Sequence, residues 1–157
     1  MRKLLTRAKF QGDLLALPAL HQIVEKTLAR DSIGTFDLVT HIPSHSAHVK
    51  KRGLSLPALL VHHLSRKKQI PWDRHLLKWV RSVPAQTSLS REARLANVEK
   101  ALVANQDVSN QRVLVIDDVS TTGATGSEAT RALLEQGANQ VLFIACARTP
   151  LAALDAR

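Results

Sequence analysis

Residues 113–125 read VLVIDDVSTTGAT, and this stretch decides the fold. Four apolar residues precede two carboxylates, Asp117 and Asp118, and a hydroxyl-rich turn follows them. An apolar run this short is typical of a buried strand rather than of a buried helix. A second run, 141–145, reads VLFIA, and the residues between the two runs have helical spacing up to Gly137. The pattern predicts a strand, a helix and a parallel strand, which together form a βαβ unit.

The rest of the chain predicts elements of the same kind. Residues 36–42 predict a strand that Pro43 ends. Leucine spacing predicts amphipathic helices over 17–28 and 56–68, and the second helix ends in three cations. Less regular elements are predicted at 76–80, 90–98 and 101–104. The predicted fold class is α/β, with a mostly parallel sheet flanked by helices, in a single domain over 1–157 that carries a mobile loop around 84–98.

The turn after the first strand has the chemistry of a phosphate site. Ligands of open α/β sheets bind at the carboxyl ends of strands, and free N–H groups at a helix start suit a phosphate monoester. Gly123 lets the backbone approach such a ligand closely. Asp117 and Asp118 can accept hydrogen bonds from a vicinal diol, directly or through a cation, so the pattern predicts a ribose 5-phosphate ligand. The predicted phosphate-binding residues are Ser120, Thr121, Thr122, Gly123, Ala124 and Thr125.

The same run resembles the phosphoribosyl pyrophosphate signature of type I phosphoribosyltransferases, in which apolar residues and two acids precede Thr-Thr-Gly-x-Thr. The whole chain resembles the ComF family, competence-associated proteins built on that fold. The matching elements follow the family's order: Lys9-Phe10-Gln11-Gly12-Asp13, Ile42-Pro43, Arg52-Gly53, Gln86 with Leu89-Ser90, Arg94 with Asn97, the signature itself, and Ala147-Arg148-Thr149. The resemblance implies a type I phosphoribosyltransferase-like fold.

If the resemblance extends to activity, it implies displacement at the anomeric carbon of the sugar, with pyrophosphate leaving under Mg²⁺ assistance. Asp117 and Asp118 would be the catalytic carboxylates and the metal ligands. Pyrophosphate would contact a basic loop and a mobile segment, whose predicted cations are Lys50, Lys51, Arg52, Arg91 and Arg94. Such a reaction needs positioning and charge neutralisation more than a nucleophilic side chain.

Two features depart from the family pattern. Members of the family usually carry an N-terminal four-cysteine zinc module, whereas this sequence has Cys146 as its single cysteine. Either the module is absent or the sequence starts after it. The family's Val-Pro-Val-Pro and Arg-Gly-Phe-Asn stretches appear here as His41-Ile42-Pro43-Ser44 and Arg52-Gly53-Leu54-Ser55. Both changes fall in the expected pyrophosphate loop, so binding is predicted and catalysis is left open.

Charge distribution supports an anionic partner. Residues 1–100 hold 18 basic and 7 acidic side chains, whereas residues 101–157 hold 4 and 6. A basic front half suits phosphorylated metabolites or nucleic acid. The ComF resemblance implies a link to the DNA-uptake machinery. The alternative hypothesis is therefore a non-catalytic uptake factor whose basic half binds single-stranded DNA, although five aromatic residues offer few stacking platforms.

Other classes fit the sequence less well. A receiver domain needs a downstream lysine, and no lysine follows Lys100. A P-loop nucleotidase needs a lysine after its glycine-rich turn, and TTGATG lacks one. The longest apolar run, 141–147, is far short of the roughly 20 residues that cross a bilayer. No cleavable signal is apparent, so we expect a reducing, cytoplasmic location in which Cys146 is a core residue.

Overall fold

Parallel pairing of three strands builds the central sheet. The computed structural model describes residues 14–29, 33–44, 55–83 and 96–148. A short 3-10 turn, Leu14–Ala16, leads into the first helix. In chain order the elements are α1 (Leu17–Leu28), β1 (Leu38–His41), α2 (Leu56–Lys68), β2 (Leu77–Trp79), β3 (Leu102–Ala104), β4 (Arg112–Ser120), α3 (Ala124–Glu135) and β5 (Gln140–Arg148).

The central sheet has the order β1-β4-β5, and both pairings are parallel. Ile116 of β4 is paired with His41 on one side and with Ile144 on the other. Strands β2 and β3 pair antiparallel in a separate two-stranded sheet. The predicted α/β class is confirmed, and so is the predicted βαβ unit, which consists of β4, α3 and β5.

Strand β4 is longer than its apolar run. It extends from Arg112 to Ser120 and stays paired with β5 past both carboxylates. The ladder consists of main-chain N–H and C=O groups, so it continues beyond the last apolar side chain when the neighbouring strand is also extended. Asp117 and Asp118 therefore lie within a strand, where pairing on at least one edge fixes their backbone.

Successive side chains of β4 point to opposite faces of the sheet and enter two different cores. Val113 and Val115 contact buried residues of β2, β3 and α3. Leu114 and Ile116 contact the other core, to which Leu20 of α1 and several residues of α2 belong. The predicted apolar faces of these two helices are confirmed, because both lie against the sheet.

Helix α3 ends at the glycine that the sequence indicated. Gly137 has φ +85°, a left-handed conformation that costs glycine no steric strain. Its N–H donates to the Leu134 carbonyl, and the Ala138 N–H donates to the Leu133 carbonyl at 3.1 Å. These bonds satisfy carbonyls that the end of a helix otherwise leaves unpaired, so the chain turns sharply towards β5.

A buried ion pair fastens the antiparallel β2-β3 sheet to α3. Glu128 is 5% exposed and pairs with Arg131 at 2.7 Å. The Leu102 N–H donates to Glu128 Oε1, and Arg131 Nη2 donates to the Leu102 carbonyl at 2.9 Å. Arg131 also pairs with the more exposed Glu135. These acids, Glu128 first, raise the pKa of Arg131, which keeps the guanidinium charged at any physiological pH.

Part of the predicted loop around 84–98 lies outside the described residues. Residues 96–98 form a helical turn, and 84–95 are not among the described residues. The predicted helix over 90–98 is therefore tested only at its last turn. None of the helices in the described ranges combines the length and the hydropathy that a bilayer crossing requires.

We predict that Glu128→Ala lowers the free energy of unfolding by about 2 kcal/mol, because the substitution leaves a buried N–H of Leu102 and one side of Arg131 without an acceptor. Glu135→Ala removes the exposed partner of the same arginine and should cost under about 0.5 kcal/mol. Urea unfolding followed by circular dichroism measures both values. An equal loss of unfolding free energy in the two variants would contradict the conclusion that Glu128 makes the stabilising buried contacts.

Candidate functional site

The candidate site lies where the parallel strands end. The carboxyl ends of β1, β4 and β5 share one edge of the sheet, and ligands of α/β folds bind at that edge. Residues 121–123 follow β4 there and lead directly into α3 at Ala124. The structure thus brings the predicted acids and the predicted phosphate turn, residues 120–125, into one continuous strand-turn-helix segment.

The two carboxylates differ in environment. Asp117 is partly buried, and its Oδ1 accepts the Asp118 N–H at 2.8 Å. Asp118 is 5% exposed, which is rare for a carboxylate that has no functional or structural partner. Both groups have further interactions within the protein. Asp117 is therefore the more accessible acid, and Asp118 is the more deeply buried one.

Cys146 of β5 lies within the field of these acids. Burial raises the pKa of the Cys146 thiol to about 12, with smaller contributions from the charges of Asp118 and Asp117. A thiol with so high a pKa stays protonated at neutral pH and is a poor nucleophile. Its burial confirms the prediction that Cys146 is a core residue.

The phosphate turn is built around Gly123. This residue is the N-cap of α3 and has φ +86°, so a side chain here would be strained. The Ala124 N–H donates to Thr122 Oγ1 at 3.3 Å, and the Ser127 N–H closes the first helical turn on the Gly123 carbonyl at 2.9 Å. A Cβ on Gly123 would have no heavy atom within 4 Å, so the turn faces open space.

Two contacts fix the turn from behind. A Cβ on Gly126 would lie 2.7 Å from the ring of Phe143, so this glycine lets α3 pack closely on β5. Ala124 is buried in a small core with Val83 and Ala101, which lie beside the β2-β3 sheet. The sequence pattern predicted a role for Gly123, but the packing role of Gly126 was missed. The available signal was the second glycine of TTGATG, one helical turn after the first.

The end of β1 adds groups that the sequence analysis did not assign. His41 is 8% exposed, and its Nδ1 has no hydrogen-bond partner among the described residues. Burial lowers the pKa of His41 to about 4, with help from the charges of Arg74 and His75, so the imidazole is neutral at pH 7. Arg148 is paired in register with Ser120 and is exposed, which places a cation beside the phosphate turn.

The predicted pyrophosphate-binding residues lie outside the described residues. They are Lys50, Lys51, Arg52, Arg91 and Arg94. The residues that flank 45–54 are described: Ser44 follows β1, Ser55 precedes α2, and their Oγ atoms are 3.2 Å apart. Pro43, one residue earlier, accepts a hydrogen bond from Trp79 Nε1 at 2.6 Å. The two described residues that flank this segment thus lie together beside the carboxyl end of β1.

The acids provide oxygen donors but no preformed metal cage. Within the described ranges, no group of three or more His, Cys, Asp or Glu side chains is close enough to bind a metal ion. Mg²⁺ in proteins is usually held by one or two carboxylates together with substrate phosphates and waters. Asp117 and Asp118 fit that smaller share of a coordination shell.

Comparison with known proteins adds independent findings. No protein-family model matches the chain. The DNA utilization protein YhgH of Salmonella typhimurium is 29% identical over 141 residues, covering 88% of this chain and 62% of that protein. Competence protein F of Haemophilus influenzae is 28% identical over 153 residues, covering 92% of this chain and 66% of that protein. The chain spans less than two thirds of the length of either relative.

Among solved structures, an adenine phosphoribosyltransferase superposes with a TM-score of 0.57 at 12% identity, covering 89% of this chain and 74% of that one. At so low an identity the likeness concerns the fold alone. The predicted phosphoribosyltransferase-like fold is confirmed.

We predict that Gly126→Ala destabilises the protein by about 1 to 3 kcal/mol, because the new methyl group overlaps the Phe143 ring and must push α3 away from β5. Ser127→Ala changes the neighbouring exposed position and should cost less than about 0.5 kcal/mol. Chemical unfolding of both variants gives the comparison. A Gly126→Ala protein as stable as the parent would show that α3 does not pack as closely as described.

Proposed function

We propose that this chain, which is similar to competence and DNA utilization proteins and has a phosphoribosyltransferase-like fold, is a ComF-like protein that binds phosphoribosyl pyrophosphate or a related ribose 5-phosphate at the end of β4. The observation that carries the proposal is the phosphate turn, which faces open space directly after two carboxylates.

The 5-phosphate is assigned to the turn. The first N–H groups of a helix have no acceptors within the helix, and the positive end of the helix dipole favours an anion. Gly123 provides no capping side chain, and the Ala124 N–H already donates to Thr122 Oγ1, so the N–H groups of Thr125 and Gly126 are the ones assigned to a ligand oxygen. The threonine hydroxyls of 121–125 add neutral donors around the same position. Arg148, on the neighbouring strand, adds a positive charge at this edge.

The ribose hydroxyls are assigned to the acids. A carboxylate accepts two hydrogen bonds from a vicinal diol, and Asp117 is the accessible member of the pair. Asp118, the next residue of the same strand, is more deeply buried and adds negative charge that favours a bound cation. If Mg²⁺ is bound, these two residues would hold it, and it would neutralise charge on the pyrophosphate group.

The pyrophosphate group is assigned to the cations of 50–52, with Arg91 and Arg94 closing over it. The assignment is supported by Ser44 and Ser55, which flank the basic segment and lie together at the edge of the site. A site of this kind would support displacement at the anomeric carbon, which needs positioning and charge neutralisation rather than a side-chain nucleophile. The buried, protonated Cys146 agrees with that expectation. We propose ligand binding as the function and leave the acceptor of any transfer to experiment.

We predict that phosphoribosyl pyrophosphate with Mg²⁺, at about 100 times its dissociation constant, stabilises the protein by roughly 2.7 kcal/mol. For a chain of this size the midpoint of thermal unfolding should rise by about 5 to 10 °C. Asp117→Asn should abolish the rise because the amide accepts fewer hydrogen bonds from the diol and binds a cation poorly. Differential scanning fluorimetry and titration calorimetry measure both effects.

The control variant is Glu135→Gln, an exposed acid at the far end of α3, which should keep the full response. Inorganic pyrophosphate with Mg²⁺ is the control ligand, since it carries the charge without the sugar. An equal rise of the unfolding midpoint with pyrophosphate would show that the site binds anions without recognising the sugar. No rise with the sugar diphosphate in the parent protein would refute the proposal.

A second candidate function is binding of single-stranded DNA. Two relatives carry names that refer to DNA utilization and competence. In addition, the last turn of α2 presents Arg66, Lys67 and Lys68, and this helix contains no acid. Nucleic acid binding by such a surface depends on phosphate neutralisation and release of counterions. A cytoplasmic location is proposed for either function.

For this candidate we expect the logarithm of the association constant to fall linearly with the logarithm of salt concentration, by about 0.7 for each phosphate neutralised. Arg66→Gln and Lys68→Gln should each reduce the slope by about that amount. Lys100→Gln is the control, because Lys100 precedes β3 on the opposite face of the central sheet. Fluorescence anisotropy of a labelled oligothymidylate reports binding, and a flat salt response would exclude this candidate.

A further inference from the structure

A pair of stacked imidazoles joins α1 to α2, on the face of the sheet away from α3. The rings of His21 and His63 lie face to face, with centroids 3.8 Å apart and planes 4° apart. Glu25, one turn after His21, accepts a hydrogen bond from Lys67 Nζ at 2.7 Å and lies 3.2 Å from His63 Nε2. We refer to His21, Glu25, His63 and Lys67 as the histidine latch. A hydrogen bond between His21 and the backbone of Leu59 also joins the two helices.

The latch has a place for one additional proton. A proton on His63 Nε2 faces a carboxylate oxygen of Glu25 at 3.2 Å, so its charge is compensated. Lys67 holds the other oxygen of Glu25, and these hydrogen bonds lower the pKa of that carboxyl, Lys67 being the main cause. Glu25 therefore stays ionised as the pH falls towards the range in which histidine titrates.

The latch has no place for a second proton. His21 Nε2 is buried and has no hydrogen-bond partner among the described residues. A proton there would be desolvated and would carry no acceptor. It would also set two cationic rings face to face at 3.8 Å, with Lys67 close by. Like charges at this separation disfavour the doubly protonated pair.

The surrounding groups reinforce this asymmetry. Towards His21, α1 contributes Glu25, and α2 contributes His63 and Lys67, while His62 and Arg66 line the same shallow groove of about 500 Å³. The titratable and charged residues of β5, which also contacts α1, are Cys146, whose raised pKa keeps it neutral, and the exposed Arg148, and neither is among the groups whose charge acts on His21. Glu25 is thus the single acid among the described residues that faces the pair, and it is already shared.

The consequence for stability has a definite sign. Burial is the main cause that lowers the pKa of His21 below its ordinary value of 6.5, followed by the charge of His63. A histidine held neutral in this way contributes stability above its unfolded-state pKa and loses it as the pH falls through the folded-state value. The weakened contact is that between α1 and α2, whose apolar side is the packing of Leu20 and Val24.

We propose that the histidine latch is a pH-operated switch that closes with at most one proton on the imidazole pair and releases α1 from α2 when both rings are protonated. Release of α1 uncovers apolar residues of α2 and β5 while leaving the β4-α3 segment paired and packed. The inference does not depend on the ligand assigned to the phosphate turn, because it rests on residues of α1 and α2 alone.

Hydrogen exchange of the full chain, read by mass spectrometry and corrected for the intrinsic pH dependence of exchange, tests the proposal. As the pH is lowered from about 7.5 to about 5.5, the equilibrium constant for opening of α1 should rise. The rise should be about tenfold for each unit by which the pKa of His21 is lower in the closed state than in the open state. Hydrogen exchange in peptides from α3 should not show this pH-dependent increase. A parallel change in α1 and α3 would mean global destabilisation and would overturn the proposal.

His21→Phe keeps a stacked ring that cannot take a proton, so α1 should lose its pH response in this variant. His75→Gln removes an exposed histidine outside the latch and should keep the parent's response. Glu25→Gln removes the acceptor for the first proton and should move the opening to higher pH. If His21→Phe fails to fold, imidazole proton resonances of the parent protein supply the test: His21 must titrate below the exposed histidines, and ordinary titration of His21 would refute the latch.

Discussion

The parallel ladder on both sides of β4 is the constraint on which the rest of the structure depends. Because β4 lies between β1 and β5, its backbone is held through Ile116, and pairing with β5 continues to Ser120. The ladder carries two carboxylates to the edge of the sheet and delivers the chain into a turn whose direction is already fixed. Parallel pairing also requires a crossover, so α3 must begin close to that edge. Acid pair, turn and helix start are therefore one rigid unit.

Two supports keep this unit in place, and both come from elements distant in sequence. On one face, Glu128 and Arg131 hold the main chain of Leu102, so the antiparallel β2-β3 sheet moves with α3. The same sheet reaches the end of β1 through the bond from Trp79 to Pro43. On the other face, α1 and α2 cover the sheet and are joined by a polar contact that titrates. The first support is insensitive to pH because its charges stay fixed, whereas the second responds to it.

This division separates the groups assigned to binding from the groups assigned to regulation. The groups assigned to the ligand lie on the β4-α3 segment, where packing is close enough that Gly126 cannot carry a methyl group without a shift. The groups assigned to the switch lie on helices whose contact includes a groove and partly exposed charges. Regions of low local stability are those that can open without global unfolding. An opening of α1 would therefore change the surface of the protein while preserving the geometry of the site.

Much of this protein was determined by the sequence alone, because the decisive information is local. The run of apolar residues, the acids and the turn of 113–125 predicted the βαβ unit, and Gly137 marked the end of its helix. Tertiary structure decided what depends on contacts between distant residues: how far β4 extends, that Gly126 lies against Phe143, that Arg148 lies beside Ser120, and that His21 meets His63. Sequence patterns report the conformation of a segment and the side it buries, but the partner it meets there is chosen by the packing of the whole chain.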